Sequence, residues 1–264
     1  MFAIERHGKV LDYINERKKA SVKELSQHFR VSKVTIRRDL DELVRRGLVI
    51  KTHGGALSLD NSFSSEIPYE KKFMQNVEAK KKIGLLAARM VEPDDVIILD
   101  AGSTTLEIAA QLRPLDEVTV ITNDLKIAVA LAHKPGVQLM VTGGVQEKGV
   151  YTLTGSTAEE FLSKIRAKKT FLGADAISLE YGITNRTFQE VSVKRCMMKA
   201  ADEVILVADH SKFDKKVFAF LCELQEVDQI IVDRMEPDLK TELTRMGIKV
   251  TVADEVVDDL EDAN

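Results

Sequence analysis

Residues 20–47, ASVKELSQHFRVSKVTIRRDLDELVRRG, constrain this chain more than any other stretch. They read as two short helices around a tight turn. Ser21 and Glu24 form a capping box, each side chain meeting a first-turn N–H that the helix itself cannot satisfy. Val22, Leu25 and Phe29 then recur at helical spacing. Ser32 caps the second helix, whose Ile36, Leu40 and Leu43 fall at i, i+4 and i+7, and Gly47 ends it. Two short apolar faces this close in sequence must pack across each other, which predicts a helix-turn-helix.

The second helix has a distinctive outer face. At about 100° per residue, Val34, Arg38 and Arg45 point away from Ile36, with Thr35 and Arg37 on the shoulders. Three arginines on one face suit a groove lined by phosphates and base edges. Asp39, Asp41 and Glu42 on the same helix keep an ordinary solvated surface as the alternative. The next residues, LVIKTHGGAL at 48–57, place apolar runs on either side of His53-Gly54-Gly55. That pattern predicts a hairpin turned at glycines able to take positive φ. A basic hairpin behind such a helix pair makes a wing, with Lys51 and His53 near the phosphate backbone.

Charge supports a nucleic-acid partner at this end. Residues 1–58 hold thirteen Lys or Arg against seven Asp or Glu, a net of +6, so the whole-chain −4 leaves −10 on residues 59–264. An asymmetry of this size between segments points to a polyanion bound by the basic one.

The motif V-S-x-x-T-I-R-R-D-L-x-x-L, followed by H-G-G-A, resembles the DeoR family of bacterial sugar-responsive transcription regulators over residues 4–57. The resemblance implies a winged helix-turn-helix that binds double-stranded operator DNA. Its candidate contacts are Ser21, Ser32, Lys33, Val34, Thr35, Arg37, Arg38, Arg45, Lys51, His53, Gly54 and Gly55. Arg37 and Arg45 are expected to anchor phosphates, whereas Val34, Thr35 and Arg38 are placed to reach bases, Val34 against a thymine methyl.

With 264 residues the chain can hold one small and one medium domain. The expected division is a DNA-binding domain at 1–58, a linker and connecting helix at 59–92, and an effector domain at 93–264. The linker candidate is the polar stretch SLDNSFSS at 58–65. Residues 66–91 read as helical with an interruption near Pro68. Ile83, Leu86, Ala87 and Met90 form its apolar stripe, and Lys80-Lys81-Lys82 is read as solvated. No apolar run approaches the roughly 18 residues of a membrane span, and no signal segment precedes the first helix, so a cytoplasmic protein is expected. Cys196 and Cys222 are too few for a disulfide framework or a zinc site and are expected reduced and buried. Neither metal nor cofactor is expected.

Beyond Pro93, apolar runs alternate with helical patterns. Strands are expected at 96–99, 118–121, 137–141, 170–172, 203–208, 229–232 and 249–252, and helices near 105–112, 124–132, 157–165, 189–201 and 238–246. This alternation predicts an α/β fold, a mostly parallel sheet with helices on both faces. Ligands of such sheets sit at the carboxyl ends of the strands. Those ends carry Asp100-Ala-Gly-Ser-Thr-Thr105, Thr122-Asn123, Thr142-Gly143-Gly144, Gly173-Ala-Asp175 and Asp209-His-Ser-Lys-Phe213. Small residues running into a helix offer N–H groups and hydroxyls to an anion. Lys212 adds charge for a phosphate, while Asp100, Asn123 and Asp175 suit sugar hydroxyls. Each piece also has a plain structural use as a cap or a turn, and convergence at one sheet edge favours a site. Gly144 and Gly149 are spaced as in a nucleotide P-loop, but Val150 and Tyr151 stand where Lys and Ser or Thr are required.

The family resemblance continues here through D-x-G-[ST]-T, T-N, T-G-G, G-A-D, V-K-R at 193–195 and D-x-S-K-F. It implies an effector domain like the sugar-phosphate isomerases and coenzyme A transferases. By it, Gly102, Ser103, Thr104 and Thr105 hold phosphate, with Asp100, Asp175, Lys194 and Lys212 around the sugar and Thr122, Asn123, Gly143 and Gly144 completing the site. Leu153-Thr-Gly-Ser156 departs from the family pattern at the rim. An isomerase would need a carboxylate base. Asp100, Asp175 and Glu190 are the candidates, and none has a context that demands catalysis. The expected function is therefore a repressor of a carbohydrate operon, controlled by a phosphorylated sugar and acting as a homo-oligomer, dimer or tetramer. An isomerase-like enzyme carrying a DNA-binding domain, or a winged helix that binds protein, is the alternative.

Overall fold

The computed structural model describes residues 3–17, 19–46, 48–52, 54–58, 69–113 and 117–256. They form two compact units, one from the described residues up to 77 and one from 78 onward. Gly47, His53, Pro68 and the expected linker beyond Ser58 lie outside the described residues.

The first unit opens with α1 (Ala3–Arg17), β1 (Lys19–Ser21), α2 (Val22–His28) and α3 (Lys33–Arg45). β2 (Val49–Thr52), β3 (Gly55–Ser58) and α4 (Tyr69–Met74) complete it. Both expected caps are present: Glu24 N–H donates to Ser21 Oγ at 3.1 Å, and Thr35 N–H donates to Ser32 Oγ at 3.0 Å. Val10, Leu11, Ile14, Leu25, Ile36, Leu40, Leu43 and Leu48 fill a common core with almost no exposure. Each such side chain contributes about 1.5–3 kcal/mol by leaving water.

β1 was not expected. It pairs antiparallel with β3, making a three-stranded sheet in the order β1-β3-β2. Its three residues are too short for alternation to register in sequence. Gly55 permits the approach, since a Cβ there would lie 2.2 Å from the Ala20 carbonyl oxygen. Asp39 also departs from expectation. It is buried beneath α1, its Oδ2 accepting from Arg6 Nε at 2.6 Å and its Oδ1 from Arg6 Nη2 at 3.0 Å, with His7 Nε2 2.9 Å from the same Oδ1. The hydrogen bond to Asp39 raises the Arg6 guanidinium above its ordinary value.

The expected helix over 66–91 is two helices, α4 and α5 (Val77–Arg89), broken where Asn76 takes a φ of 50°. The lysine run divides: Lys81 is exposed and Lys82 half-buried, while Lys80 departs from the expected solvated face. Lys80 is 4% exposed, Lys81 donates to Glu78 at 3.0 Å and Lys82 to Asp254 at 2.7 Å.

The second unit continues with β4 (Val96–Leu99), α6 (Ser103–Gln111), β5 (Val118–Thr122), α7 (Leu125–Leu131) and β6 (Val137–Val141). A hairpin of β7 (Val145–Gln146) and β8 (Leu153–Thr154) leads to α8 (Ser156–Ser163) and β9 (Ala167–Leu172). Then come β10 (Ala176–Ser178), β11 (Gly182–Asn185), α9 (Phe188–Ala200), β12 (Ala201–Val207) and β13 (Ala219–Cys222). β14 (Gln229–Val232), α10 (Pro237–Arg245) and β15 (Lys249–Val252) follow.

All seven expected strands lie in one parallel sheet, ordered β15-β14-β12-β9-β4-β5-β6. Alternation divides the core between its two faces. Ile97, Leu99, Val120, Phe171 and Ile205 pack with α5, α6 and α7, whereas Ile98, Ile121, Leu172 and Leu206 pack with α8, α9 and α10. On the second face, β10, β11 and β13 form a small antiparallel sheet. None of these three strands was expected, and β10, at three residues, is too short for alternation to show. Both cysteines are free; Cys222 is buried, which pushes its thiol up to about 12, and Cys196 is half-buried. No helix among the described residues is long and apolar enough to cross a membrane.

The winding of the large sheet reverses between β4 and β9, with β5 and β6 on one side and β12, β14 and β15 on the other. A crevice at the carboxyl ends is expected at that point.

The buried carboxylate of the first unit gives a test. Asp39→Ala leaves Arg6 and His7 without their shared acceptor and is expected to destabilise this unit by about 3 kcal/mol. Urea unfolding followed by circular dichroism measures it, and a loss under about 1 kcal/mol would show that the clamp is dispensable.

Candidate nucleic-acid interface and effector site

The core packing of α3 leaves one face outward. Val34 is 57% exposed, and Lys33, Arg37 and Arg38 are exposed beside it, while Thr35 is half-buried. Arg37 and Arg38 have no hydrogen bond or ion pair among the described residues, so their donors are available to a ligand. Arg45 is also exposed, but its guanidinium is held in two-pronged contact with Glu42, with Nε at 2.9 Å and Nη2 at 2.7 Å. A phosphate at Arg45 would compete with that carboxylate. The hydroxyls of Ser21 and Ser32 serve the helix caps, and Ser32 Oγ also lies 2.9 Å from Thr35 Oγ1.

Between α3 and the wing lies a cleft of about 460 Å³, lined by Arg37, Asp41, Lys51, Thr52, Gly54 and Gly55. An ion pair from Lys51 to Asp41 joins strand β2 to the helix. Gly54 takes a φ of 100°, the left-handed region that favours glycine, and its carbonyl accepts from Val22 N–H at 2.8 Å. The face thus combines free arginines with one exposed apolar side chain. That chemistry suits phosphates and a base edge.

In the larger unit, β4 ends in Asp100, buried at the switch point. Lys194 of α9 donates to Asp100 Oδ2 and to the Gly173 carbonyl at 3.0 Å, while Gly173 N–H donates to the same Oδ2 at 2.9 Å. One carboxylate, one ammonium and the backbone of Gly173 therefore join the ends of β4 and β9 to the middle of α9. Gly102 caps α6 without contributing a side-chain acceptor. The first-turn N–H groups of a helix so capped must be met by other acceptors, as an anion would do. Ser103, Thr104 and Thr105 are buried there, with Thr105 Oγ1 donating to the Gly102 carbonyl at 2.9 Å.

Sequence reasoning missed Asp124. It caps α7, accepting from Lys126 N–H at 2.6 Å and Ile127 N–H at 3.1 Å, and its other oxygen accepts from Gly102 N–H at 3.2 Å. It thereby holds the small-residue loop against the next strand. Burial raises its carboxyl to about 6, and the charge of Asp100 pushes the same way. Its sequence signal was an Asp just ahead of an apolar helical pattern.

On the other side of β9, Asp209 follows β12. Burial pushes its carboxyl upward, but Lys212 and Lys80 and a hydrogen bond from Ser211 hold it below the ordinary carboxylate value. Lys80 therefore belongs to this cluster, and its signal was its helical register with Ile83 and Ala87. His210 is oriented by Asp233, which accepts from its backbone N–H and lies against its Nδ1, both at 2.7 Å.

Asp175 accepts from Arg186 N–H at 3.1 Å and from Asn185 Nδ2 at 3.4 Å, and Asn185 Nδ2 also reaches Glu190 at 3.3 Å. Two of the three carboxylates named as possible bases thus share one amide. Thr122 and Asn123 also brace the neighbouring elements. Thr122 Oγ1 accepts from Asp124 N–H at 3.1 Å, and Asn123 Nδ2 donates to the Leu153 carbonyl at 3.1 Å, bracing β8. Gly144 meets the same strand, where a Cβ would lie 2.5 Å from the Thr154 carbonyl oxygen. With strands about 4.8 Å apart, the β6 end lies about 10 Å from the β4 end. Gly143 and Gly144 therefore shape the rim, while the ends of β12, β9, β4 and β5 bring the charged groups together.

The carboxyl of Asp124 generates a pH test. Folded, it titrates at about 6, above the 3.8 of a free Asp. The folded form therefore binds the extra proton between these values, and this group's contribution to stability falls as pH rises through that window. Asn keeps a capping oxygen without the charge. Asp124→Asn is expected to raise Tm relative to the parent at pH 7.5 and to lose that advantage near pH 4. An advantage that does not change with pH would refute the assignment.

The chain matches two family models, the DeoR-like helix-turn-helix domain over residues 6–62 and the DeoR C-terminal sensor domain over residues 75–234. It is 34% identical over 251 residues to the HTH-type transcriptional regulator GlpR of Haloferax volcanii, covering 95% of this chain and 98% of that one. It is also 34% identical to a putative aga operon transcriptional repressor of Escherichia coli O157:H7, covering 95% and 94% of the two chains. The HTH-type transcriptional repressor GlcR of Bacillus subtilis is again 34% identical, over 97% and 98%. Among solved structures, ribose 5-phosphate isomerase A of Methanocaldococcus jannaschii aligns at 17% identity with a TM-score of 0.38, over 52% of this chain and 55% of that one. Matched by both family models and by relatives along nearly its whole length, the chain belongs to the DeoR family of transcription regulators.

Proposed function

We propose that the chain represses a carbohydrate-metabolism operon by binding double-stranded operator DNA as a homo-oligomer, and that a phosphorylated sugar controls this binding. It acts in the cytoplasm, where that DNA lies. The observation that carries the reading is α3, with Val34, Arg37 and Arg38 outward and the opposite face buried, in one chain with a buried Lys and Asp cluster at a sheet switch point. Relatives named as operon repressors support it. The phosphate is met by the first turn of α6 together with Lys212 and Lys80, and the hydroxyls by Asp175 and Asp209. Sugar phosphate relieves repression by binding one arrangement of the protein more tightly, since only a difference in affinity moves such an equilibrium.

Two substitutions separate the roles. Arg38→Ala is expected to cost operator affinity about 1–3 kcal/mol while leaving ligand-induced thermal stabilisation intact. Ser103→Asp should keep DNA binding and lose that stabilisation, which reaches about 2.7 kcal/mol at 100 times the dissociation constant. Gel shifts on the promoter of the neighbouring sugar operon and thermal shifts across phosphorylated pentoses and hexoses measure the two. Equal loss of ligand-free DNA binding in both variants would refute the division of labour, and binding indifferent to salt would refute phosphate contact.

A further inference from the structure

The outer face of the small sheet serves neither of these roles. Apart from Phe73, the exposed aromatic side chains among the described residues are Tyr181, Phe188, Phe218 and Phe220, and all four gather on or beside this sheet with Leu179. Alternation turns them outward: Ala219 and Leu221 enter the core while Phe218 and Phe220 face solvent. The rings are ordered against one another. Phe188, at the start of α9, meets Phe218 edge to face with centroids 5.1 Å apart. Phe220 lies across Gly182, where a Cβ would come within 3.2 Å of its ring. Aromatic side chains gathered in one exposed patch mark an interface in a water-soluble domain.

Charge identifies the occupant. Lys216 Nζ lies 3.5 Å from the Tyr181 ring centroid, and the Arg195 guanidinium 5.9 Å from that of Phe220. Glu180 beside Tyr181 and Glu223 at the end of β13 are exposed carboxylates at the same margin. A nucleic acid would call for cations alone, and a basic peptide for carboxylates alone. Exposed charges of both signs around an apolar centre, with Asp214 and Lys215 adding one more of each beside Lys216, make a surface complementary to itself, the property a two-fold interface requires.

We infer that a second copy of this chain docks here, face to face about a two-fold axis. Burying four aromatic rings from each copy provides the apolar centre, and the cations of one copy meet the carboxylates of the other at the rim. The inference rests on the operator-binding reading only in that two winged helices are needed to read two half-sites.

Light scattering of the eluting full-length protein gives its mass directly, without DNA. The parent is expected to run as a dimer or larger, and Phe218→Ser/Phe220→Ser to fall to half that mass or less. Lys216→Glu, an exposed change that leaves the core untouched, should lower the mass at dilute concentration and retain the parent's circular dichroism. A monomeric parent, or variants of unchanged mass, would overturn the inference. If masses fall as expected but the parent does not bind its upstream DNA, the operator reading fails and this one stands.

Discussion

The ion pair between Asp100 and Lys194 organises the larger unit. It lies where the winding of the sheet reverses and ties the ends of β4 and β9 to the middle of α9 through the Gly173 backbone. Both side chains are almost wholly buried. Desolvating two charges is expensive, and their attraction offsets the cost only when further hydrogen bonds satisfy the remaining atoms. The Gly173 N–H and carbonyl supply those bonds. The pair is electrically neutral as a unit, so the proposed phosphate calls for other groups, and the first turn of α6, Lys80 and Lys212 are those the proposal assigns to it.

The same reasoning separates the carboxylates by their surroundings. Asp124 accepts only backbone N–H groups and has Asp100 as a neighbour, so burial dominates and its carboxyl rises. Asp209 is equally hidden, yet Lys212 and Lys80 outweigh burial and its carboxyl falls. In the proposed sugar-phosphate reading, Asp209 is a carboxylate left to accept from a hydroxyl. Asp124 is spent on holding the loop. Asn123, expected to touch sugar, uses its amide to brace β8.

What the sequence made legible follows from length and burial. The seven strands of the parallel sheet are apolar runs covered on both faces, and each was recoverable within a few residues. β1, β7, β8 and β10 are two or three residues long, below the window in which alternation can be recognised, whereas β11 and β13 match β4 in length and were missed all the same. Charged helical residues misled in a consistent direction. Asp39 and Lys80 were read as solvated because charges usually are, whereas both lie inside, held by partners distant in sequence. Their helical register pointed inward, but periodicity reports direction and cannot supply the partner. The motifs at the strand ends were visible, and their division into charged centre and glycine rim depended on strand order.

The charge asymmetry gains meaning once the units are distinguished. Residues 1–58 carry +6, while the remainder carries −10, in a chain whose net is −4. Interaction with a polyanion scales with the local cations that replace condensed counterions, not with the whole-chain charge. The acidic effector region is repelled by phosphate at distances within about 8–10 Å at ordinary salt. DNA can therefore approach favourably only through the basic unit, and within it Arg37 and Arg38 are the arginines of α3 without an internal carboxylate partner among the described residues. Arg45 and Arg46 share Glu42, which lowers what either can offer to a phosphate. In the proposed operator-binding reading, DNA is therefore met by the amino-terminal half of α3, where the exposed Val34 lies between the capping Ser32 and the two free arginines.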